Sequence, residues 1–381
     1  MTNYRNSCRV CGGLFFSAPL LRYENSPIAA QGFLNRIDDP DDAVNLEIFQ
    51  CSKCGLVQHS ADPVSYYKDV IRAVAVSNEM ADFRLNQLND WVSLNQLQDK
   101  KILEVGCGKG EYLNLLRKAG ANHIRGMEHA YQSVDEALQN GNHVYQGYLD
   151  DGFKPPSDFT FDAFAIFSFL EHWPDPNHSL SILHSFLTED ACGLIEVPNF
   201  ELIQSRGLYS EFTTDHIFYF DKKSFTFLLE KNGFEVMSMT PIWYDYILSA
   251  QVRRRSPLDI HHFLDIQEKV TRQLSGYINK FREKSVAIWG AGHQALAVLA
   301  RTKVAVDLKY IVDSAPFKQG KYTPVTHLLV TSPETLLIDP PEAVVVMAAG
   351  YSSEVVRSLL AKYPLVRNVA ILREDTLEVV K

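Results

Sequence analysis

A chain of 381 residues is too long for one ordinary core and points to two or three domains. Its 46% apolar and 22% charged residues exclude a disordered chain. A formal net charge of −9 argues against a broad nucleic-acid or anionic-membrane surface, while leaving room for a local basic pocket that holds a diphosphate. No apolar run is long enough for a transmembrane helix, and MTNYRNSCRVC lacks an apolar signal core, so the sequence predicts a cytoplasmic protein with no membrane partner.

Residues 1–60 carry two Cys-x-x-Cys pairs, Cys8/Cys11 and Cys51/Cys54, each followed by glycine. A two-residue spacer lets both sulfurs of a turn face one ion, and two such turns complete a tetrahedron. Glycine after each pair lets backbone amides approach the sulfurs. Four protein ligands leave no position for water or substrate, so the expected ion is a structural Zn2+. The competing reading is two redox or unpaired dithiol motifs. Cys107 and Cys192 lie apart in apolar stretches and read as buried residues, and six cysteines are too few for a disulfide scaffold of this length.

Residues 61–98 read as a helical connector, with Ala81, Leu85, Leu88, Trp91 and Leu94 at the three-to-four spacing of one helix face. From Lys101 short apolar runs alternate with amphipathic segments: KILEVG, HIRGME, HVYQG, FDAFAIF and GLIEVP are strand candidates. That alternation predicts a doubly wound parallel sheet over residues 99–250. The run Arg253-Arg254-Arg255 before Ser256-Pro257 marks a break, and residues 251–284 read as a helical linker. A second α/β domain follows over 285–381, with strands SVAIWG, LKYIVD, AVVVMA and NVAIL.

The strand ILEVG runs into Gly106-Cys107-Gly108-Lys109-Gly110 and then the helix EYLNLLRKAG. Such a turn lets backbone pass close to a ligand, but dinucleotide sites share it. Its context is more specific: Glu104 precedes the turn, and Glu128 ends the next strand, positioned to accept ribose hydroxyls. E-x-G-x-G-x-G followed by this acidic strand end resembles the class I methyltransferases. The resemblance implies S-adenosylmethionine as cofactor, bound by Glu104, Gly106, Gly108, Gly110 and Glu128. It places Tyr148 where the family often carries an aspartate beside adenine. The stretch from Phe167 through Leu170-Glu171-His172 to Asp175-Pro176 is similar to the family's LEHxxDP segment, so Phe167 is expected on the cofactor side.

Loops at the carboxyl ends of parallel strands face the ligand crevice. His172 and His216 lie on two such loops, and histidine takes a proton at modest cost near neutral pH. Asp215 or Glu171 would orient a histidine or support its charged form. The bland reading is that His216 packs a lid and buttresses the cofactor.

A cysteine-ligated module, a methyltransferase core and a C-terminal α/β domain, in that order, resemble the nucleotide-sugar C-methyltransferases over nearly the whole chain. The most specific piece is Asp313 to Pro324, similar to the family's D-x-x-P-x-K-Q-G-x-x-x-P signature. The resemblance implies methylation of the carbon beside a 4-keto group in a nucleotide-linked, typically dTDP-linked, deoxysugar. The family's Tyr-x-Glu-His segment falls on Thr213 to His216, which makes His216 the expected general base, Asp215 its partner and His172 a stabiliser of the enolate oxygen. Thr213 stands in place of tyrosine, Asp215 in place of glutamate, and Gln294 in place of the lysine of the family's C-terminal glycine turn.

That turn, Gly290-Ala291-Gly292-His293-Gln294-Ala295 with Asp313 ending the next strand, matches a dinucleotide motif, so an NAD-dependent oxidoreductase is a rival reading. The family resemblance instead has this domain close over the substrate, with Thr213, Gly290, Gln294 and Lys318 as substrate-side residues; a purely structural role is a third reading. RNA methylation guided by a zinc ribbon is disfavoured, because residues 1–60 have no basic excess and Arg253-Arg254-Arg255 reads as a solvated linker. Oxygen or nitrogen methylation of another small metabolite is the runner-up. The sequence leaves oligomeric state open, with a monomer allowed.

Overall fold

In a computed structural model, which describes residues 5–28, 33–38, 43–68 and 77–381, the chain divides into two compact units, Met1–Ser256 and Pro257–Lys381. The first begins with β1 (Leu21–Pro27), β2 (Ala43–Gln50) and β3 (Val57–His59), then α1 (Asn78–Leu94). There follow β4 (Lys101–Val105), α2 (Glu111–Lys118), β5 (His123–Glu128), α3 (Tyr131–Gln139), β6 (Val144–Gln146) and β7 (Phe161–Phe167). The unit continues through α4 (Pro176–Ser185), β8 (Leu187–Pro198), α5 (Phe200–Arg206), β9 (Phe218–Tyr219), α6 (Lys222–Lys231), β10 (Phe234–Ile242) and β11 (Ile247–Arg254).

Seven strands form one sheet in the order β10-β11-β8-β7-β4-β5-β6. The five from β8 to β6 are parallel, as the apolar runs predict; Ala163, Phe164, Ala165 and Ile166 of β7 have no exposed surface, the mark of a strand covered on both faces. The sheet is nevertheless mixed. β11 runs antiparallel to β8 and β10 antiparallel to β11; the short connection over residues 243–246 joins β10 to β11 directly, as only an antiparallel pair allows. Arg253 and Arg254 therefore belong to a paired strand rather than a solvated linker. Arg254 donates to the Leu187 carbonyl at 2.7 Å, and Arg255 to the carbonyls of Glu230 and Phe234 at 3.1 and 3.3 Å.

The cysteine-bearing segment is continuous with this unit. Its antiparallel sheet has the order β1-β2-β3-β9, so a strand from residues 218–219 completes it. The helix read as a connector is likewise a layer of the core: Leu88, Trp91 and Val92 of α1 pack with Ile102, Leu113 and Leu116. Its buried face differs from the expected one. Leu94 is 75% exposed, whereas Arg84 is buried, paired with Glu196 at 2.5 Å and lying over the rings of Tyr112 and Phe167. A buried guanidinium needs its carboxylate, and that pairing turns the helix away from the purely apolar stripe. Residues 69–76 of the expected connector lie outside the described residues.

The second unit comprises α7 (His262–Ile278), β12 (Val286–Trp289), α8 (His293–Thr302), β13 (Leu308–Val312), β14 (Val330–Thr331), α9 (Thr335–Ile338), β15 (Ala343–Val346), α10 (Ser352–Lys362), β16 (Asn368–Arg373) and β17 (Thr376–Val379). Its sheet has the order β14-β13-β12-β15-β16-β17, parallel except for β17. The helix expected as a linker, α7, buries Val270, Leu274, Tyr277 and Ile278 against Val286, Ile288 and Leu299, so it is part of this core. Among the described residues no helix is long and apolar enough to cross a membrane.

Candidate active site

The turn of residues 106–110 leaves β4 and enters α2. Gly106 and Cys107 donate their amides to the Met127 carbonyl at 2.9 and 3.2 Å, which fixes the turn against the end of β5. Gly106 has φ +74°, and a side chain there would meet the Phe169 ring 2.5 Å from its Cβ, so both conformation and space require glycine. At the end of β5 the Glu128 carboxylate accepts the Gly108 amide at 3.0 Å and the Ala130 amide at 2.9 Å. A carboxylate is thus held against the glycine turn, which fits a diol-bearing nucleoside. Glu104 is buried on β4 below it.

A small cavity here is lined by Gly106, Glu128, Gly147, Tyr148, Phe169 and Trp173. Tyr148 meets Phe169 and Trp173 edge-on at centroid distances of 6.2 and 6.4 Å, so the position where the family often carries an aspartate is part of an aromatic cluster on the cavity wall. Phe167, expected on the cofactor side, does not line this cavity. Its ring packs edge-on against Tyr112 at 5.0 Å, beneath Arg84. The strand ends at Phe167 and Ser168 turns the chain with φ +48°, so Phe169 leaves the strand's alternation and meets Gly106 instead.

Beyond Phe169 lie the two histidines. The Phe169 and His172 rings are 6.4 Å apart, and the His172 and His216 rings 4.9 Å apart at 72°. His172 Nδ1 lies 2.8 Å from the Asp215 carbonyl, which can only accept, so Nδ1 carries the proton and neutral His172 presents a lone pair at Nε2. That is a correction to the simplest oxyanion-donor role: this histidine donates from Nε2 only after taking a proton. The nearest acid is Glu171, whose Oε1 lies 4.0 Å from Nε2 and whose carboxyl burial pushes up to about 8. Burial lowers His172 to about 4, and burial together with His172 lowers His216 to about 3, with Asp215 opposing. Both imidazoles are therefore neutral at pH 7, and burial makes each a weaker base than an exposed histidine. The Asp215 side chain is buried and accepts the Tyr66 hydroxyl at 2.5 Å. Tyr66 has no motif around it, and its contact with a residue 149 positions away carries no local signal. Thr213 accepts the Tyr219 hydroxyl through its carbonyl at 3.4 Å.

The four cysteines of the two pairs come together. Cys8 and Cys54 sulfurs are 3.7 Å apart, Cys11 and Cys51 3.4 Å, and all four lie within 4.8 Å of one another. A tetrahedron of thiolates around one zinc has edges of about 3.8 Å, so the donor set fits. Amides of Val10, Cys11, Gly13 and Lys53 point at the sulfurs at 3.3–3.5 Å, the partners that thiolate ligands take.

In the second unit Gly290 has φ +115°, and a Cβ there would lie 2.6 Å from the Met347 carbonyl oxygen; the close approach of its own backbone accounts for this glycine. Gln294 is exposed on the first turn of α8. Lys318 donates to Asp313 at 2.8 Å and to the Ala291 carbonyl at 3.1 Å, while Asp313 also accepts the Ala291 and Ala315 amides at 2.9 Å. The acid that would bind ribose in a dinucleotide site is thus neutralised and tied to the turn, which weakens the NAD reading.

Residues 76–239 match a methyltransferase domain family, and residues 257–363 match a C-methyltransferase C-terminal domain. The chain is 21% identical to a C-methyltransferase of Streptomyces niveus, NovU, over 92% of this chain and 91% of that one. It is 29% identical to a ubiquinone biosynthesis O-methyltransferase of Neisseria meningitidis over 21% of this chain and 36% of the relative. Among solved structures, an S-adenosylmethionine-dependent methyltransferase from Mesorhizobium loti matches with 14% identity and TM-score 0.36, covering 45% of this chain and all of the other. A magnesium protoporphyrin IX methyltransferase from Synechocystis, with bound SAH, matches with 16% identity and TM-score 0.37, covering 48% and 90%.

The chain is an S-adenosylmethionine-dependent methyltransferase of class I. Its second domain is similar to the C-terminal domain of C-methyltransferases, and its full-length relative is named as one.

Proposed function

We propose that the enzyme methylates the carbon beside a 4-keto group in a nucleotide-linked deoxysugar, dTDP being the expected nucleotide. The observation that carries this reading is the histidine pair, a buried His172 against a half-buried His216, one aromatic ring away from the glycine turn. A carbon acid needs a base in the same water-poor space as the methyl donor, whereas a hydroxyl acceptor makes a smaller demand. Bound S-adenosylmethionine would supply an activated methyl group; Glu128, the 106–110 turn and Tyr148 would hold it.

His216 then takes the proton beside the ketone: it is neutral at pH 7, and the Asp215 carboxylate offsets part of the desolvation that opposes the imidazolium it becomes. Tyr66 fixes that carboxylate by its hydroxyl. Charge appearing on the ketone oxygen is met by the His172–Glu171 pair, in which Glu171 holds the proton that His172 lacks at Nε2. Thr213, Gln294 and Lys318 are carried over as substrate-side residues from the resemblance to the nucleotide-sugar C-methyltransferases alone. We further propose that Cys8, Cys11, Cys51 and Cys54 hold one structural zinc, since four thiolates leave no coordination site open for chemistry.

The test is a mass-shift assay with isotopically labelled methyl donor over a panel of nucleotide-linked 4-keto sugars. Alongside it, exchange of the substrate α-proton is followed in deuterated water with S-adenosylhomocysteine bound. Label on a sugar carbon with α-exchange supports the reading. Label on oxygen without α-exchange refutes it in favour of O-methylation.

A further inference from the structure

We infer that Gln58 is a positioning residue that ties both histidine-bearing loops to the cysteine cluster. Gln58 and His59, at the end of β3, have no exposed surface. The Gln58 amide nitrogen donates to the Cys8 sulfur at 3.2 Å, and its oxygen accepts the Arg9 amide at 3.1 Å. Both ends of this side chain are thus engaged by the first cysteine turn, while its backbone pairs with Phe218 of β9. The next residue grips the loop before β9 at two points. His59 donates its amide to the Ile217 carbonyl at 3.1 Å, and its Nε2 to the Thr214 carbonyl at 3.2 Å. His216 lies between those two anchors.

The same cysteine turn holds the other loop. Arg9 reaches the Pro174 carbonyl at 3.5 Å and the Ala61 carbonyl at 2.9 Å, and Asn177 donates to the carbonyls of Arg9 and Val10 at 3.1 and 2.9 Å. The two loops then close on each other through the Ile217 amide on the Glu171 carbonyl at 3.0 Å and His172 on Asp215. One buried amide side chain serves here because it must offer a donor to a thiolate and an acceptor to a backbone amide at once. Leucine would leave the Arg9 amide unpaired in a dry site, and glutamate would set a negative charge against the sulfur. The inference rests on the reading of the four cysteines as a zinc site. Without a cation, thiolates 3.7 Å apart repel one another, and Gln58 loses its charged acceptor.

The experiment uses the full chain as purified. Elemental analysis first establishes zinc content in wild type, Gln58→Leu and Gln58→Asn, the last keeping an amide too short to reach Cys8. Hydrogen exchange is then followed in peptides over 170–177 and 213–220, with 101–118 as control, and the tautomers of His59 and His172 are read by 15N NMR. We expect zinc-loaded Gln58→Leu to exchange at least tenfold faster in 213–220, to stay within twofold of wild type in 101–118, and to lose the single Nδ1–H tautomer of His172. Stripping zinc from wild type with a chelator should accelerate both loop peptides, and adding it back should restore them. A uniform loss of protection, or none, in zinc-loaded Gln58→Leu and Gln58→Asn overturns the positioning role. Wild type purified without metal overturns the zinc reading alone, because the Gln58 variants still decide whether the glutamine holds the loops.

Discussion

Replacing Glu128 isolates the cofactor site from the chemistry. Its two oxygens are engaged separately, one by the Gly108 amide and one by the Ala130 amide, both at lengths near 3 Å. Hydrogen bonds to a charged acceptor contribute roughly 1.5–3 kcal/mol each, and ribose hydroxyls would use the remaining lone pairs of the same carboxylate. Glu128→Ala removes the ribose acceptor and leaves the turn amide without its anchor, for an expected loss of about 1–3 kcal/mol in binding, or about 5- to 150-fold in Kd. Glu128→Gln is the sharper variant. An amide offers one acceptor oxygen and sets an NH2 against the other backbone N–H, so it should lose nearly as much as alanine. Calorimetric titration with S-adenosylhomocysteine measures both, and titration with NAD should give no heat. Wild-type affinity in Glu128→Gln would refute the assignment of two amides and a ribose to one carboxylate.

His216→Asn should keep cofactor affinity and lose turnover by about 10²–10⁴-fold, the usual contribution of a positioned base; wild-type turnover would remove this residue from the mechanism and leave His172 as the base. Cys51→Ser should lower zinc content and the melting temperature, because coordination energy is folding energy in such small modules; elemental analysis that finds equal zinc in variant and wild type contradicts the ligand set. The stability profile should carry an acid limb from two buried histidines and the half-buried His216. His59, His172 and His216 have folded pKa values of about 3, 4 and 3 against an ordinary 6.5, so the unfolded chain binds protons first and stability falls as pH drops from about 6.5 toward those values. Glu171 acts oppositely, its contribution being present below about 4.5 and lost as pH rises to about 8. Thermal melts of His216→Asn should therefore show a shallower fall between pH 6.5 and 4 than wild type, and an unchanged slope argues against its burial as a neutral group.

Much of the scaffold was legible from local pattern. FDAFAIF and HIRGME coincide with β7 and β5, because buried parallel strands need unbroken apolar runs and leave a signal in consecutive residues. The two Cys-x-x-Cys turns and the glycine turn are readable for the same reason: each is a short-range geometry that few residue types satisfy. The antiparallel edge of the main sheet was not, since β10 and β11 look like any other strands until their partner is known. Nor was the buried face of α1, which Arg84 and Glu196 set across 112 residues. In the candidate site the sequence singled out His172, Asp215 and His216, which the fold brings together, and it named Phe167 where Phe169 meets the glycine turn. It gave no sign of Tyr66, Gln58 or His59, whose partners on the 213–217 loop or beside the cysteine turn lie 149, 50 and 155 residues away. The sequence by itself determined the parallel strands and the glycine and cysteine turns, all of which rest on periodicity and spacing. Only the tertiary structure decided the tautomer of His172, the neutral state of the histidine pair and the grip of the cysteine segment on both loops. These depend on burial and on single hydrogen bonds between distant segments, and such contacts leave no periodic trace in the chain.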